Sequence, residues 1–93
     1  MSRYRIFETD EFCKRLGKLP KHDAAFIQKK LNSFVYPQIM EEPFFGNNIK
    51  KLRGYDPETW RYRMGRFRLF YCVDQEDAVI YILTIDQRKD AYR

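Results

Sequence analysis

From Trp60 to Val73 the chain alternates apolar and polar side chains in two runs, Trp60-Arg-Tyr-Arg-Met64 and Phe67-Arg-Leu-Phe-Tyr-Cys-Val73, separated by Gly65-Arg66. Period-two alternation marks a strand, and a two-residue connection that begins with Gly suits a type II′ turn, so the stretch predicts a β-hairpin. That loop length fixes the register. Met64 opposes Phe67, Tyr62 opposes Leu69, and Trp60 opposes Tyr71. One face then carries Trp60, Tyr62, Met64, Phe67, Leu69, Tyr71 and Val73 and is a core face. The other carries Arg61, Arg63 and Arg68, with Phe70 and Cys72 beside them. Arg63 falls directly across from Arg68, where like charges destabilise a sheet. Opposite signs would suit a solvated face better, so the pairing points to an anion site, most naturally for a phosphate backbone. A basic but idle sheet face is the plainer reading.

The rest of the chain supplies elements to cover the core face. Arg3 to Glu8 alternates and reads as a short strand. Thr9 or Asp10 caps a helix whose apolar stripe is Phe12, Leu16 and Leu19, widened by Cys13. Gly17 weakens that helix, and Pro20 ends it or opens the next. A second helix is predicted from about Lys21 to Tyr36, with Ile27, Leu31, Phe34 and Val35 as its stripe and Pro37 as its stop. Gln38 to Thr59 is a long connection, of the kind that is functional or hides a short element, packed down by Ile49 and Leu52. After the hairpin, Asp74 to Asp77 is a polar turn. Ala78 to Ile85 is an apolar, β-branched run and predicts a central strand buried on both faces. Residues 86–93 read as a turn of helix or a tail. The result is an α+β, two-layer domain spanning 1–93: an N-terminal strand, a two-helix hairpin, then a three-stranded antiparallel meander.

Composition narrows the class. Ninety-three residues with 44% hydrophobic and 17% aromatic content are enough for one core and exclude disorder. No run reaches membrane-spanning length, and the N-terminus lacks an apolar signal segment. Cys13 and Cys72 make no disulfide framework and are expected reduced and packed, in a cytoplasmic protein. The one histidine, His22, sits in a helix's first turn and reads as a solvated residue rather than a base. Without Cys/His clusters a zinc site is not expected.

Charge changes the picture more. Between Lys50 and Arg68 lie Lys50, Lys51, Arg53, Arg61, Arg63, Arg66 and Arg68 against Asp56 and Glu58, a balance of +5 that equals the net charge of the whole chain. A basic patch interleaved with aromatics is the footprint of a nucleic-acid binder. An acidic protein partner suits it too.

Several blocks, in this order and spacing, resemble the RelE/ParE superfamily of toxins from bacterial and archaeal toxin–antitoxin pairs: Phe12-Cys-Lys-Arg-Leu-Gly-Lys-Leu-Pro20, Ile49-Lys-Lys-Leu-Arg-Gly54, Trp60-Arg-Tyr-Arg-Met-Gly65, Phe67-Arg-Leu-Phe-Tyr71 and Arg88-Lys-Asp-Ala-Tyr92. The resemblance implies a RelE-like branch of ribosome-dependent endoribonucleases that cut mRNA in the decoding site, with no cofactor. A ribose 2′-OH attacks the neighbouring phosphate. That step needs a proton acceptor, cations for the charge on phosphorus, and an acid for the departing oxygen. By position, Arg61 and Arg63 match the basic pair of the hairpin's first strand, and Arg68 matches the phosphate-binding arginine of the second. Arg88 matches a charge stabiliser or proton donor, and Tyr92 a base-stacking or base-orienting tyrosine. Lys50, Lys51, Arg53, Arg66 and Lys89 are the further RNA-binding candidates.

The sequence departs from that pattern twice. The first-strand pair is lysine in the best-known members, where one lysine is proposed as the base; arginine is a poor base. Gln87 stands where many relatives have histidine. The acceptor is therefore open among Lys50, Lys51, Glu58 and Tyr92, or the chemistry runs on alignment and electrostatics. The implied partners are the ribosome, mRNA and a cognate antitoxin, expected over the arginine face with Phe70 and Tyr81 near it, with the helix pair as the alternative docking surface. Two other functions share the fold: a ParE-like poison of DNA gyrase that cuts no RNA, and an interaction protein without toxicity. The facing arginines carry a further expectation: Arg63 and Arg68 cost folding stability, and a bound phosphate relieves the cost.

Overall fold

A computed structural model describes residues 3–87 of the chain. They form the α+β architecture expected, with strand, helices and sheet in that order. β1 (Arg5–Glu8) leads into α1 (Asp10–Gly17), whose N-cap is Thr9. The Thr9 hydroxyl accepts from the Phe12 amide at 3.3 Å, satisfying one of the helix's open donors. It also donates towards the carbonyls of Ile82 and Leu83, so the cap is tied to the sheet. Pro20 is the N-cap of α2 (Lys21–Lys30) and thus opens a helix rather than ending one.

Pro37 does not stop that helix. A π-helical turn, Leu31–Val35, follows α2 without a break, and α3 (Tyr36–Glu41) carries Pro37 in its first turn. The Tyr36 amide bonds the Leu31 carbonyl, an i→i−5 step. This widened turn loosens the backbone just where the proline ring would meet the carbonyl one turn back. The helix run keeps Ile27, Leu31, Val35 and Ile39 buried. Phe34, expected in the same stripe, is 62% exposed instead. Cys13, expected to be packed, is exposed, while Cys72 is buried.

Among the described residues the sheet has five strands, in the order β1-β5-β4-β3-β2. The expected meander is β3 (Trp60–Met64), β4 (Phe67–Asp74) and β5 (Val79–Gln87). The long connection holds an additional strand, β2 (Ile49–Lys51), antiparallel to β3 at the sheet edge. β1 runs parallel to β5, so the sheet is mixed. The hairpin register is as read from the sequence, from Met64↔Phe67 to Trp60↔Tyr71. Gly65 carries φ 59, which a type II′ turn requires of its first residue.

One sheet face is the core. Tyr62, Met64, Phe67, Leu69, Tyr71, Ile80, Ile82 and Ile85 pack against Phe12, Leu16 and the buried stripe of the helix run. β5 is not buried on both faces: Ile80, Ile82 and Ile85 are enclosed, while Tyr81, Leu83 and Thr84 are half-buried. Among the described residues the helices cover one side, and the second face of β5 is partly open. Three tyrosine hydroxyls brace the layers. Tyr36 donates to Glu8 at 2.7 Å, Tyr62 to Gln38 at 2.6 Å, and Tyr71 to the Pro43 carbonyl at 2.6 Å. No helix among the described residues is long and apolar enough to cross a membrane.

Candidate functional site

The face away from the helices is built by strand register. Arg63 on β3 opposes Arg68 on β4, and Arg68 in turn opposes Asp86 on β5. The neighbouring row is Lys50, Arg61, Phe70 and Thr84. Four cationic side chains therefore share one open face of three adjacent strands. Arg63 and Lys50 are exposed, and Arg61 and Arg68 are half-buried. The Arg68 guanidinium lies 5.7 Å from the centroid of the Phe70 ring, within cation–π range.

Arg68 is not left facing only a like charge. Its Nε donates to Asp86 Oδ1 at 3.0 Å and its Nη2 to Oδ2 at 3.3 Å. This two-pronged ion pair offsets the repulsion from Arg63. The expectation that Arg68 costs stability is thereby corrected, and only Arg63 keeps that character.

A bulge produces the pairing. From Asp74↔Val79 to Tyr71↔Ile82 the two strands march in step, and the register then shifts by one between Phe70 and Tyr71. The extra residue of β5 is Leu83, which has no partner on β4. Beyond it, Ile85 returns to the core opposite Leu69, and Asp86 meets Arg68. Without the bulge Ile85 would fall across from Arg68 and Asp86 would turn towards the core.

The other basic candidates among the described residues do not join this cluster. Arg66, at the hairpin tip, turns to the helix layer, where its Nη2 bonds Asp23 Oδ1 at 3.3 Å and its guanidinium lies 5.4 Å from the Phe67 ring centroid. Lys51 opposes Trp60, on the other parity of β2, and pairs with Glu58 at 2.9 Å. Arg53 lines a shallow hollow with Lys51, Gly54, Tyr55 and Glu58, past the end of β2. His22 lies beside Asp23 at 3.3 Å and is well exposed. Arg88, Lys89 and Tyr92 lie outside the described residues. Among the described residues no group of His, Cys, Asp and Glu is arranged to hold a metal ion.

Asp86 is the member of this face that sequence reasoning missed. Its signal was present but weak. Ile80, Ile82 and Ile85 are spaced two and then three apart, and that change of phase marks a bulge and turns Asp86 to the arginine side.

Fold and site together describe a small α+β domain with a basic sheet face, and comparison with known proteins gives its class. A family described as the ParE toxin of type II toxin–antitoxin systems matches residues 9–92. The chain belongs to the RelE/ParE superfamily of type II toxins. It is similar to a Methanocaldococcus jannaschii protein named RelE1, 34% identical over 80 residues, which cover 86% of this chain and 84% of that one. It is also similar to the toxin RelG of Mycobacterium tuberculosis, 31% identical over 90 residues and 97% of each chain. Among solved structures, the toxin–antitoxin complex RelBE2 of Mycobacterium tuberculosis aligns with TM-score 0.70 at 29% identity, over 92% of this chain and 99% of that one.

Proposed function

We propose that the chain is a ribosome-dependent mRNA endoribonuclease of the RelE-like branch. The observation that carries this reading is the convergence of Arg61, Arg63, Arg68 and Lys50 on one open sheet face. In the reaction a 2′-oxygen forms a bond to phosphorus and the bond from phosphorus to the 5′-oxygen breaks. The products are a 2′,3′-cyclic phosphate and a free 5′-hydroxyl. The intermediate carries additional negative charge on the phosphoryl oxygens. Guanidinium groups aimed at those oxygens lower the barrier by charge-assisted, bidentate hydrogen bonding. Arg61, Arg63 and Arg68 take that role. Arg88 is the further charge stabiliser or proton donor, and Tyr92 the stacking residue. Base stacking of this kind contributes about 1–3 kcal/mol. Lys50 tracks the backbone phosphates, with Lys89 as a further contact. No carboxylate–histidine pair stands ready on the face, so the ribosome supplies alignment of the mRNA.

A cognate antitoxin is the second partner in this reading. The solved relatives include toxin–antitoxin complexes, among them an archaeal RelE–RelB complex from Pyrococcus horikoshii. The basic, partly aromatic face, where Arg68 and Phe70 meet, suits an acidic or amphipathic helix.

The test is a translation reaction with the protein added. Primer extension should find new mRNA 5′ ends that depend on ribosomes; rapid cutting of naked RNA, unchanged by ribosomes, would count against the reading. The matched family is described as the ParE toxin, so DNA gyrase poisoning is the second reading. A supercoiling assay on the same preparation separates them: inhibition of gyrase with intact mRNA selects the second.

A further inference from the structure

A guanidinium offers two forks: a side-on fork made by Nε–H and one Nη–H, and an end-on fork made by the two Nη groups. On Arg68 the side-on fork is occupied. Asp86 accepts from Nε at 3.0 Å and from Nη2 at 3.3 Å. The second Nη group points away from Asp86 and is the leading donor of the end-on fork. The side chains of Arg68 and Asp86 are 29% and 31% exposed, so a ligand reaches the pair from the open face. Arg63 stands at the same register position on the neighbouring strand, and the Phe70 ring lies 5.7 Å from the guanidinium.

We infer that Asp86 is the positioning residue of this anion site, clamping Arg68 side-on so that its end-on fork meets an RNA phosphate beside Arg63. The inference rests on the nuclease reading and names a residue that reading does not contain. Both carboxylate oxygens are engaged by the guanidinium, so Asp86 acts through Arg68 rather than on the substrate.

Asp86 has two opposed effects. Its negative charge weakens attraction of RNA to the face. Its clamp fixes the direction of the donors that stabilise the charge developing on phosphorus. Removing it therefore strengthens binding and slows turnover, a split that a residue needed only for folding does not give. Asp86→Asn keeps the size and one acceptor oxygen. Its amide N–H, however, meets the Nη2 donor head-on, which opens the fork.

The experiment uses the full chain with Asp86→Asn, Asp86→Ala and Asp86→Glu. It measures affinity for mRNA-programmed ribosomes across salt concentrations, and single-turnover cleavage at saturating protein. Asp86→Asn should bind as tightly as wild type or up to about tenfold tighter at low salt, with a log–log salt slope steeper by about one, since Arg68 is freed for a full phosphate contact. Its cleavage rate should fall at least about tenfold, the range expected when a charge-stabilising donor is misdirected. Asp86→Glu, which restores the carboxylate, should regain part of the rate. A lower melting temperature with an unchanged salt slope and an unchanged rate per folded molecule overturns the inference. If the wild type cuts no ribosome-bound mRNA, the nuclease reading fails by itself. The salt slope then decides on Asp86: a steeper slope supports the clamp at an anion site, and an unchanged one overturns it.

Discussion

Arg68→Ala should destabilise the fold, although the like charge of Arg63 lies across the strand pair from it. Two opposing effects set the magnitude. The substitution removes two charge-assisted hydrogen bonds to Asp86 and leaves that carboxylate partly desolvated without its guanidinium. Hydrogen bonds to charged groups contribute about 1.5–3 kcal/mol when enclosed, and fully exposed ion pairs only about 0.2–1 kcal/mol. With both side chains close to one-third exposed, the loss falls between these limits, near 1.5 kcal/mol. Relief of the Arg63 repulsion returns about 0.5 kcal/mol, in the range of cross-strand pairs. The net loss is about 1 kcal/mol, or roughly 4–8 °C in melting temperature for a domain of this size. Thermal and urea unfolding followed by circular dichroism measure it. A double-mutant cycle with Asp86→Ala should return a coupling of about 1.5 kcal/mol, because the relief of the Arg63 repulsion is common to both backgrounds and cancels. If Arg68→Ala melts at or above the wild-type temperature, repulsion dominates and the ion pair is idle.

Arg63→Ala should behave differently, leaving stability within about 0.5 kcal/mol or raising it, while ribosome-dependent cleavage falls by roughly a hundredfold. Gly65→Ala should cost about 1 kcal/mol or more in urea unfolding, because Gly65 holds φ 59 and the loss is backbone strain; a Cβ there meets no atom within 4 Å. Stability should also fall as the pH rises above about 10, the range in which an exposed phenol ionises. Burial, with the Glu8 carboxylate accepting a hydrogen bond from it, holds the Tyr36 phenol well above its ordinary 10.0, and burial raises Tyr71 likewise. The folded chain keeps these protons while the unfolded chain sheds them, so each phenol removes roughly 1.4 kcal/mol per pH unit above its unfolded value. Alkaline unfolding curves for Tyr36→Phe and Tyr71→Phe should be correspondingly flatter. Arg88→Ala should reduce cleavage as Arg63→Ala does, and Tyr92→Phe should spare stacking.

The hairpin was legible because two local signals agree: strict alternation fixes the faces, and Gly65 fixes the loop that aligns them. The helices were legible in place but not in extent. Pro37 is a stop by local rule, yet a π-turn ahead of it lets the helix run on to Glu41, and burial of Val35, Tyr36 and Ile39 holds that turn in place. Ile49–Lys51 alternates too briefly to read as a strand; only pairing with Trp60–Tyr62 makes it one. For the site, the arginines of β3 and β4 followed from hairpin register alone. Arg66 could not be placed so, because a turn residue belongs to neither face, and here it turns to Asp23. Asp86 required long-range register across β4 and β5, including a bulge, and pairing between distant strands is what local pattern carries least.

Replacing the attacking 2′-hydroxyl of the substrate by hydrogen tests the cleavage chemistry most directly. An mRNA with a single 2′-deoxynucleotide 5′ to the phosphate that the protein cuts is placed in programmed ribosomes beside its all-ribose counterpart. The all-ribose message should yield a 2′,3′-cyclic phosphate and a 5′-hydroxyl, and the deoxy message should stay intact at that position while still binding the protein. Equal cutting of the deoxy message, or products carrying a 5′-phosphate, would contradict it.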